Sequence, residues 1–235
     1  MTAWAPKRFW QAATVEPAEA GFTVRLDGRP VKTPAKTLLV VPTQAMAQAI
    51  AAEWDAQQGL VRPETMPMTR MANSALDKVG PLHPAVVDEV AGFGGSDLLC
   101  YRADAPEELA ARQRQGWDPL LDWAATRLGA PLVQTVGVIH VAQSPESLAR
   151  LRGHVAGQGA FPLVALHDLV AITGSLILGL AVAEGRLTPE QAWALARIDE
   201  DWQAEQWGID DEAAEHAALR RAALMDAARF YGLCG

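Results

Sequence analysis

Polar and apolar residues alternate with a period of two only in the first third of the chain. Phe22-Thr23-Val24-Arg25-Leu26 shows that alternation and reads as a half-buried strand, with Phe9 and Trp10 as a shorter run ahead of it. Asp27-Gly28 before Arg29-Pro30-Val31 is a hairpin-turn pair, because both residue types tolerate the left-handed backbone of a tight two-residue turn. Residues 38–41 form a third apolar run, which Pro42 ends. From Thr43 the period becomes that of a helix. Met46, Ala49, Ile50 and Trp54 fall on one face behind a capping hydroxyl, and Gly59 marks the stop. A small antiparallel sheet with one helix against it is predicted.

Strand signals then nearly vanish. Pro63 and Pro67 stiffen the connection 62–67, and 69–79 reads as a helix ended by Gly80-Pro81. Helices are predicted over 83–93, over 107–128 with a kink or restart at Asp118-Pro119, from Ser144-Pro145 onward, over the apolar stretch 163–183, and over 213–231. Residues 97–101 make a short separate run, and the β-branched stretch 135–141 suits an isolated strand or extended segment. The fold class is therefore α+β: a small N-terminal antiparallel-sheet domain with a helix, residues 1–82, then a larger all-helical, orthogonal bundle-like domain, residues 83–235.

The stretch 186–216 concentrates the signals. Thr188, Pro189 and Gln191 are a capping hydroxyl, a proline suited to the first helical position and an amide three residues on, so a helix starts there and runs toward Gly208. Leu195, Ile198 and Trp202 form its packing stripe. Asp199, Glu200, Asp201 and Glu205 precede the glycine, Asp210, Asp211, Glu212 and Glu215 follow it, and Trp202 and Trp207 sit among them. Like charges one turn apart repel by roughly a few tenths of a kcal/mol per pair, so helix stability alone does not account for this density. Two readings stand side by side: a solvated helix face with core tryptophans, or an acidic, aromatic contact surface.

Composition narrows the partners. A chain of 235 residues, 50% hydrophobic and 20% charged, can bury a core without staples. Its net charge of −8 argues against a nucleic-acid binder and against docking on anionic lipid. A basic or amphipathic protein partner suits it better. Cys100 and Cys234 have no zinc or redox spacing and read as free thiols in a reducing compartment. The N-terminal stretch has neither the apolar core of a secretory signal nor the pattern of a mitochondrial presequence, which points to the cytoplasm. Residues 163–182 are the candidate membrane span, but His167 and Asp168 interrupt the run, at a depth where a charge costs about 2.5–3.5 kcal/mol. A buried core helix is expected instead, with no membrane insertion.

Residue patterns for bond-making chemistry are sparse. His83, His140, His154, His167 and His216 are scattered singly, and the neighbours His167 and Asp168 diverge by about 100° on a helix. Gly92-Phe93-Gly94-Gly95-Ser96 is glycine-rich but lacks the lysine of a phosphate loop. Thr173-Gly174-Ser175-Leu176 is no nucleophile elbow; inside an apolar helix its small residues permit close packing. Glu200 with Glu205 or Asp201 could divide acid and base roles in a carboxylate-dependent hydrolase, but no apolar pocket is evident to raise one pKa. No metal and no cofactor are expected.

Ala196-Arg197-Ile198-Asp199-Glu200-Asp201-Trp202-Gln203, followed by Glu205-Gln206-Trp207-Gly208, resembles the signature of the F1-ATP synthase assembly chaperones that hold the free alpha subunit. Leu26-Asp27-Gly28-Arg29-Pro30-Val31-Lys32-Thr33-Pro34, Ala51-Ala52-Glu53-Trp54, Met66-Pro67-Met68-Thr69-Arg70, Asp97-Leu98-Leu99-Cys100-Tyr101 and Thr173-Gly174-Ser175-Leu176 agree with the same family, in its order and across nearly the whole chain. The resemblance implies an N-terminal α/β domain and a C-terminal helical bundle. It implies a non-enzymatic chaperone that binds the unassembled alpha subunit and prevents its aggregation until beta takes its place. The working form would be a monomer, in the bacterial cytoplasm or, for eukaryotic relatives, the mitochondrial matrix. Matching residues assign partner binding to Glu200, Asp201, Glu205, Trp207 and Asp210. Ala196 stands where a serine is common in bacterial relatives of the family and Ile209 follows the glycine where an acid is frequent, which bears on the detail of that surface. A generic helical scaffold is the remaining alternative, and it would not distinguish alpha from beta.

Overall fold

The hairpin around Asp27-Gly28 organises the start of the chain. In the computed structural model, which describes residues 7–235, both turn residues are left-handed, at φ 48° and 79°. They join β2 (Gly21–Leu26) to β3 (Arg29–Pro30) in the primed two-residue geometry whose twist matches the strands. The Asp27 carboxylate accepts from the backbone N–H of Gln11 and Ala12 at 3.0–3.1 Å, and those bonds hold its pKa below the usual carboxylate value. β1 (Ala13–Ala18) pairs with β2 on one side, and β4 (Val40–Val41) pairs with β2 through Phe22 and Thr23. All these pairings are antiparallel. Phe9 and Trp10 lie outside the strands: Trp10 is buried and meets Trp54 edge-on at 5.2 Å. The first six residues, part of the N-terminal stretch discussed above, lie outside the described residues.

α1 (Gln44–Asp55) packs on β1 and β2. Thr43 caps it by accepting from the Met46 N–H, and the helix ends at Asp55, short of Gly59. Glu53 reaches from α1 to the start of α2 (Pro67–Ser74), where its carboxylate accepts from Met68 N, Thr69 N and Thr69 Oγ1 at 2.7–2.8 Å. Two of the family-like segments are thus one interaction, a carboxylate supplying acceptors to the free amides of a helix start. These elements belong to one compact unit, whose described residues are 7–83 with 160–164 and 229–235.

A second unit holds residues 84–159 and 165–228. It contains most of α3 (His83–Gly92), a short parallel pairing of β5 (Tyr101–Arg102) with β6 (Thr135–Val136), and α4 (Glu107–Arg127), which stays continuous through Pro119. α5 (Pro145–Ala156) follows, then α6 (Ala160–Thr173) from residue 165 onward. The apolar stretch 163–183 is not one helix. Gly174, at φ 70°, ends α6, and Ser175 caps a new helix, α7 (Leu176–Ala183), by accepting from Leu178 N. The cause lies far away in sequence. Asp97, fully buried, accepts from Ser175 Oγ at 2.7 Å and from Ile177 N and Leu99 N at 3.0 Å, so the break is supplied with acceptors. Close packing holds one turn later instead: a Cβ on Gly179 would fall 2.5 Å from Val170 Cγ2. Among the described residues no helix is long and apolar enough to cross a membrane. The result is a small antiparallel sheet region at the start and mostly helix after it.

Candidate functional site

The capping box at Thr188 forms as the sequence predicts: Thr188 Oγ1 accepts from Gln191 N and Gln191 Oε1 from Thr188 N. The helix it starts is shorter than predicted. α8 (Pro189–Ala196) breaks at Arg197, and α9 (Ile198–Trp207) begins a new axis, followed beyond Gly208 by α10 (Asp211–Gly232). The break changes the meaning of the acids. Asp199, Glu200 and Asp201 fall in the first turn of α9, Asp211 and Glu212 in the first turn of α10, and Asp210 caps α10 by accepting from Ala213 N at 2.9 Å. Carboxylates in a first helical turn face unpaired N–H groups and the positive end of the helix dipole. Much of the acid that looked excessive for one helix stabilises two.

Several acids also have partners on α4. Gln113 Nε2 donates to Asp199 Oδ1 at 2.6 Å, and Arg112 grips both oxygens of Glu205 at 2.8 and 2.7 Å while its guanidinium lies 4.6 Å from the Trp202 ring centroid. That pairing lowers the pKa of Glu205, the opposite of what a proton donor needs. Asp201 pairs with Arg197 one turn back at 3.2 Å. Leu195, Ile198 and Trp202 are half-buried rather than core. They press on α4 where Gly116 leaves room: a Cβ there would lie 2.8 Å from Leu195 Cδ2, and Trp117 Nε1 donates to Leu195 O at 2.9 Å.

Of the five residues singled out for partner binding, Asp201, Glu205 and Asp210 therefore have hydrogen-bond or ion-pair partners, and Glu200 and Trp207 have none among the described residues. The Glu200 side chain is exposed and makes no ion pair or hydrogen bond among the described residues, and Trp207 is 80% exposed with Ile209 beside it at 76%. Glu200 rims a cavity of about 220 Å³ with Trp193, Arg197, Arg220 and the α6 end; Trp207 lines a different, open depression. The structure thus does not bring Glu200 and Glu205 together on one cavity. Sequence reasoning missed Arg112, Gln113 and Glu108, because α4 is remote in sequence and no spacing rule ties it to α9.

Other chemistry is thin. No group of three or more His, Cys, Asp or Glu converges on a metal-holding position among the described residues. His167 Nδ1 does meet Asp168 Oδ1 at 3.0 Å, with Glu89 at 3.7 Å from Nε2, so the adjacent pair interacts despite its helical divergence. Burial pushes both thiols, Cys100 and Cys234, up to about 12, which removes them as nucleophiles.

Residues 7–125 match the family model of the ATP12 chaperone protein. The crystal structure of Atp12 from Paracoccus denitrificans is 53% identical and superposes with a TM-score of 0.95, over 97% of this chain and 98% of that one. A solved structure from Agrobacterium tumefaciens is 46% identical, with a TM-score of 0.93 over 98% of this chain and 87% of its own. The mitochondrial protein atp12 of Schizosaccharomyces pombe is 26% identical over 221 residues, 89% of this chain and 76% of that protein. The role named by the family model is that of a chaperone, not an enzyme. By the match over half its length and the near-complete superposition on Atp12, the chain belongs to the ATP12 chaperone family.

Proposed function

We propose that this chain, an ATP12-family chaperone of F1-ATPase assembly, captures the unassembled alpha subunit and keeps it from aggregating until beta displaces it. Glu200, Asp201, Glu205, Trp207 and Asp210 are the proposed docking residues, with Glu200 and Trp207 making the contacts and the other three holding the helix ends that present them. The observation that carries this reading is the pair of side chains without an internal partner, an exposed carboxylate and an indole 80% exposed on one short helix. Exposed aromatics are favoured anchors of protein contacts, and an orphan subunit offers a large apolar face that would otherwise aggregate. A partly polar contact suits a complex that must later yield to a tighter partner.

Co-expression of the chain with isolated alpha or isolated beta, followed by pull-down and by light scattering of the isolated subunit, tests the proposal. Alpha is retained and stays in solution; beta is not retained. Glu200→Lys loses only the first-turn charge of α9, about 1 kcal/mol, so the chain stays folded, and it weakens capture of alpha about tenfold with a changed salt dependence. Equal retention of alpha and beta would leave only a generic scaffold. The same reading makes the working form a cytoplasmic monomer, which sedimentation of the free chain checks.

A further inference from the structure

Pro106, Glu108, Trp202, Gln206 and Trp207 line an open depression of about 440 Å³ between the start of α4 and the end of α9. Its walls are two indoles and a proline ring. Its one carboxylate, Glu108, is exposed and makes no ion pair or hydrogen bond among the described residues. One turn further along α4, Arg112 shows what this pair of helices does with a guanidinium. It stacks near the Trp202 indole at 4.6 Å and gives two hydrogen bonds to the Glu205 carboxylate. Trp207 and Glu108 are an indole and a carboxylate of the same kind with no guanidinium between them.

Charge decides the occupant. A purely apolar group would strip water from Glu108 without compensating it, and an acidic group would meet repulsion in a chain of net charge −8. A cation satisfies both walls. An ammonium is a compact, strongly hydrated point charge, whereas a guanidinium is planar, stacks on indole and bonds a carboxylate through two donors. Resting on the docking reading above, we infer that this depression receives an arginine side chain, flanked by aliphatic residues, from the captured protein. The arginine repeats with Trp207 and Glu108 the arrangement that Arg112 makes with Trp202 and Glu205.

The test uses the full chain and two blocked pentapeptides, Gly-Leu-Arg-Leu-Gly and the same peptide with norleucine in place of arginine. Each is titrated while the indole Nε1–H signals are followed by NMR, with the Trp207 signal assigned by its loss in Trp207→Phe. The arginine peptide moves that signal saturably, and the norleucine peptide needs about tenfold higher concentration or more. Glu108→Gln abolishes the difference between the peptides. Equal responses to the two peptides, or no response of Trp207 to either, overturn the inference. In parallel, Glu108→Gln, which loses about 1 kcal/mol or less of first-turn charge on α4, and Trp207→Ala, at an exposed position, leave the chain folded and weaken capture of isolated alpha about tenfold. Unimpaired capture by both variants sinks this inference and leaves the proposed function standing. Failure of the wild-type chain to capture alpha, with discrimination between the peptides intact, sinks the function and leaves the depression's chemistry standing.

Discussion

Replacing Asp97 by alanine strikes the contact that ends one apolar helix and starts the next. The carboxylate is fully buried and accepts from Leu99 N at 3.0 Å, Ser175 Oγ at 2.7 Å and Ile177 N at 3.0 Å. Alanine leaves those three buried donors without the acceptor they share. An orphaned buried donor costs about 1–3 kcal/mol, and breaking a buried charged network about 3–5 kcal/mol, so the loss is set at about 3–5 kcal/mol. Asparagine keeps one acceptor oxygen but turns an N–H toward a donor, and costs about 1–3 kcal/mol on the same grounds. Proton linkage adds a second signature. Burial pushes the Asp97 carboxyl from 3.8 up to about 6, against the pull of its hydrogen bonds. The folded chain therefore keeps this proton at a pH where the unfolded chain has released it. The stability this adds is full below pH 3.8 and is lost as pH rises to about 6; at 1.36 kcal/mol per pH unit it amounts to about 3 kcal/mol. Asparagine carries no such proton, so the wild-type margin over Asp97→Asn shrinks by about 2 kcal/mol between pH 4 and pH 7. Urea unfolding of wild type, Asp97→Ala and Asp97→Asn, followed by tryptophan fluorescence at dilute protein across that range, measures both. An alanine cost below about 1 kcal/mol at pH 7, or a wild-type margin over asparagine that does not change with pH, would refute the reasoning.

Glu53→Ala removes three hydrogen bonds from the start of α2 and costs about 2–4 kcal/mol; hydrogen exchange loses protection at Met68 and Thr69 while the α7 amides keep theirs. Gly116→Ala puts a methyl 2.8 Å from Leu195 Cδ2 and 3.1 Å from Ile198 Cδ1, two side-chain ends that must give way against about 1 kcal/mol gained in helix propensity; the unfolding free energy stays within about 1 kcal/mol of wild type while the Trp117 indole N–H signal shifts as Leu195 moves. Thr188→Ala deletes half of the capping box and lowers stability by about 1 kcal/mol in chemical denaturation, with Thr188→Ser restoring most of it.

What could be read from the chain were features whose cause lies within a few residues. The Asp27-Gly28 turn, the Thr43 cap and the Thr188 box each need only their own neighbours, and each forms as the local chemistry requires. β1 escaped because Ala13-Thr14-Val15-Glu16-Pro17-Ala18 carries a proline and a glutamate and little apolar alternation; it is an edge strand, held by its ladder to β2. The break at Gly174-Ser175 was illegible for a different reason. Hydropathy runs smoothly across it, and the group that satisfies the new helix start, Asp97, sits in another segment altogether. The candidate site shows the same division. Its acids were visible, but which of them are occupied was not, since Arg112 and Gln113 come from α4.

That division bears on how the family resemblance should be weighed. The Ala51-Ala52-Glu53-Trp54 and Met66-Pro67-Met68-Thr69-Arg70 segments meet as a carboxylate and the helix start it satisfies, and so do Asp97 and Thr173-Gly174-Ser175-Leu176. Those four segments specify a fold, and matching them says nothing about a partner. The acidic segment is mixed. Asp199, Asp201, Glu205 and Asp210 each answer a need inside the protein, a helix start or an arginine, and would be expected in a chain that bound nothing. Glu200 and the remote Glu108 stand in the first turns of α9 and α4 but have no hydrogen-bond or ion-pair partner among the described residues, and leaving the Trp207 indole in water loses the apolar burial it could have had. On the proposed reading, a docking face made of so few uncommitted side chains, with its supporting charges already neutralised in place, would anchor a partner at a small number of points and release it without unfolding either helix.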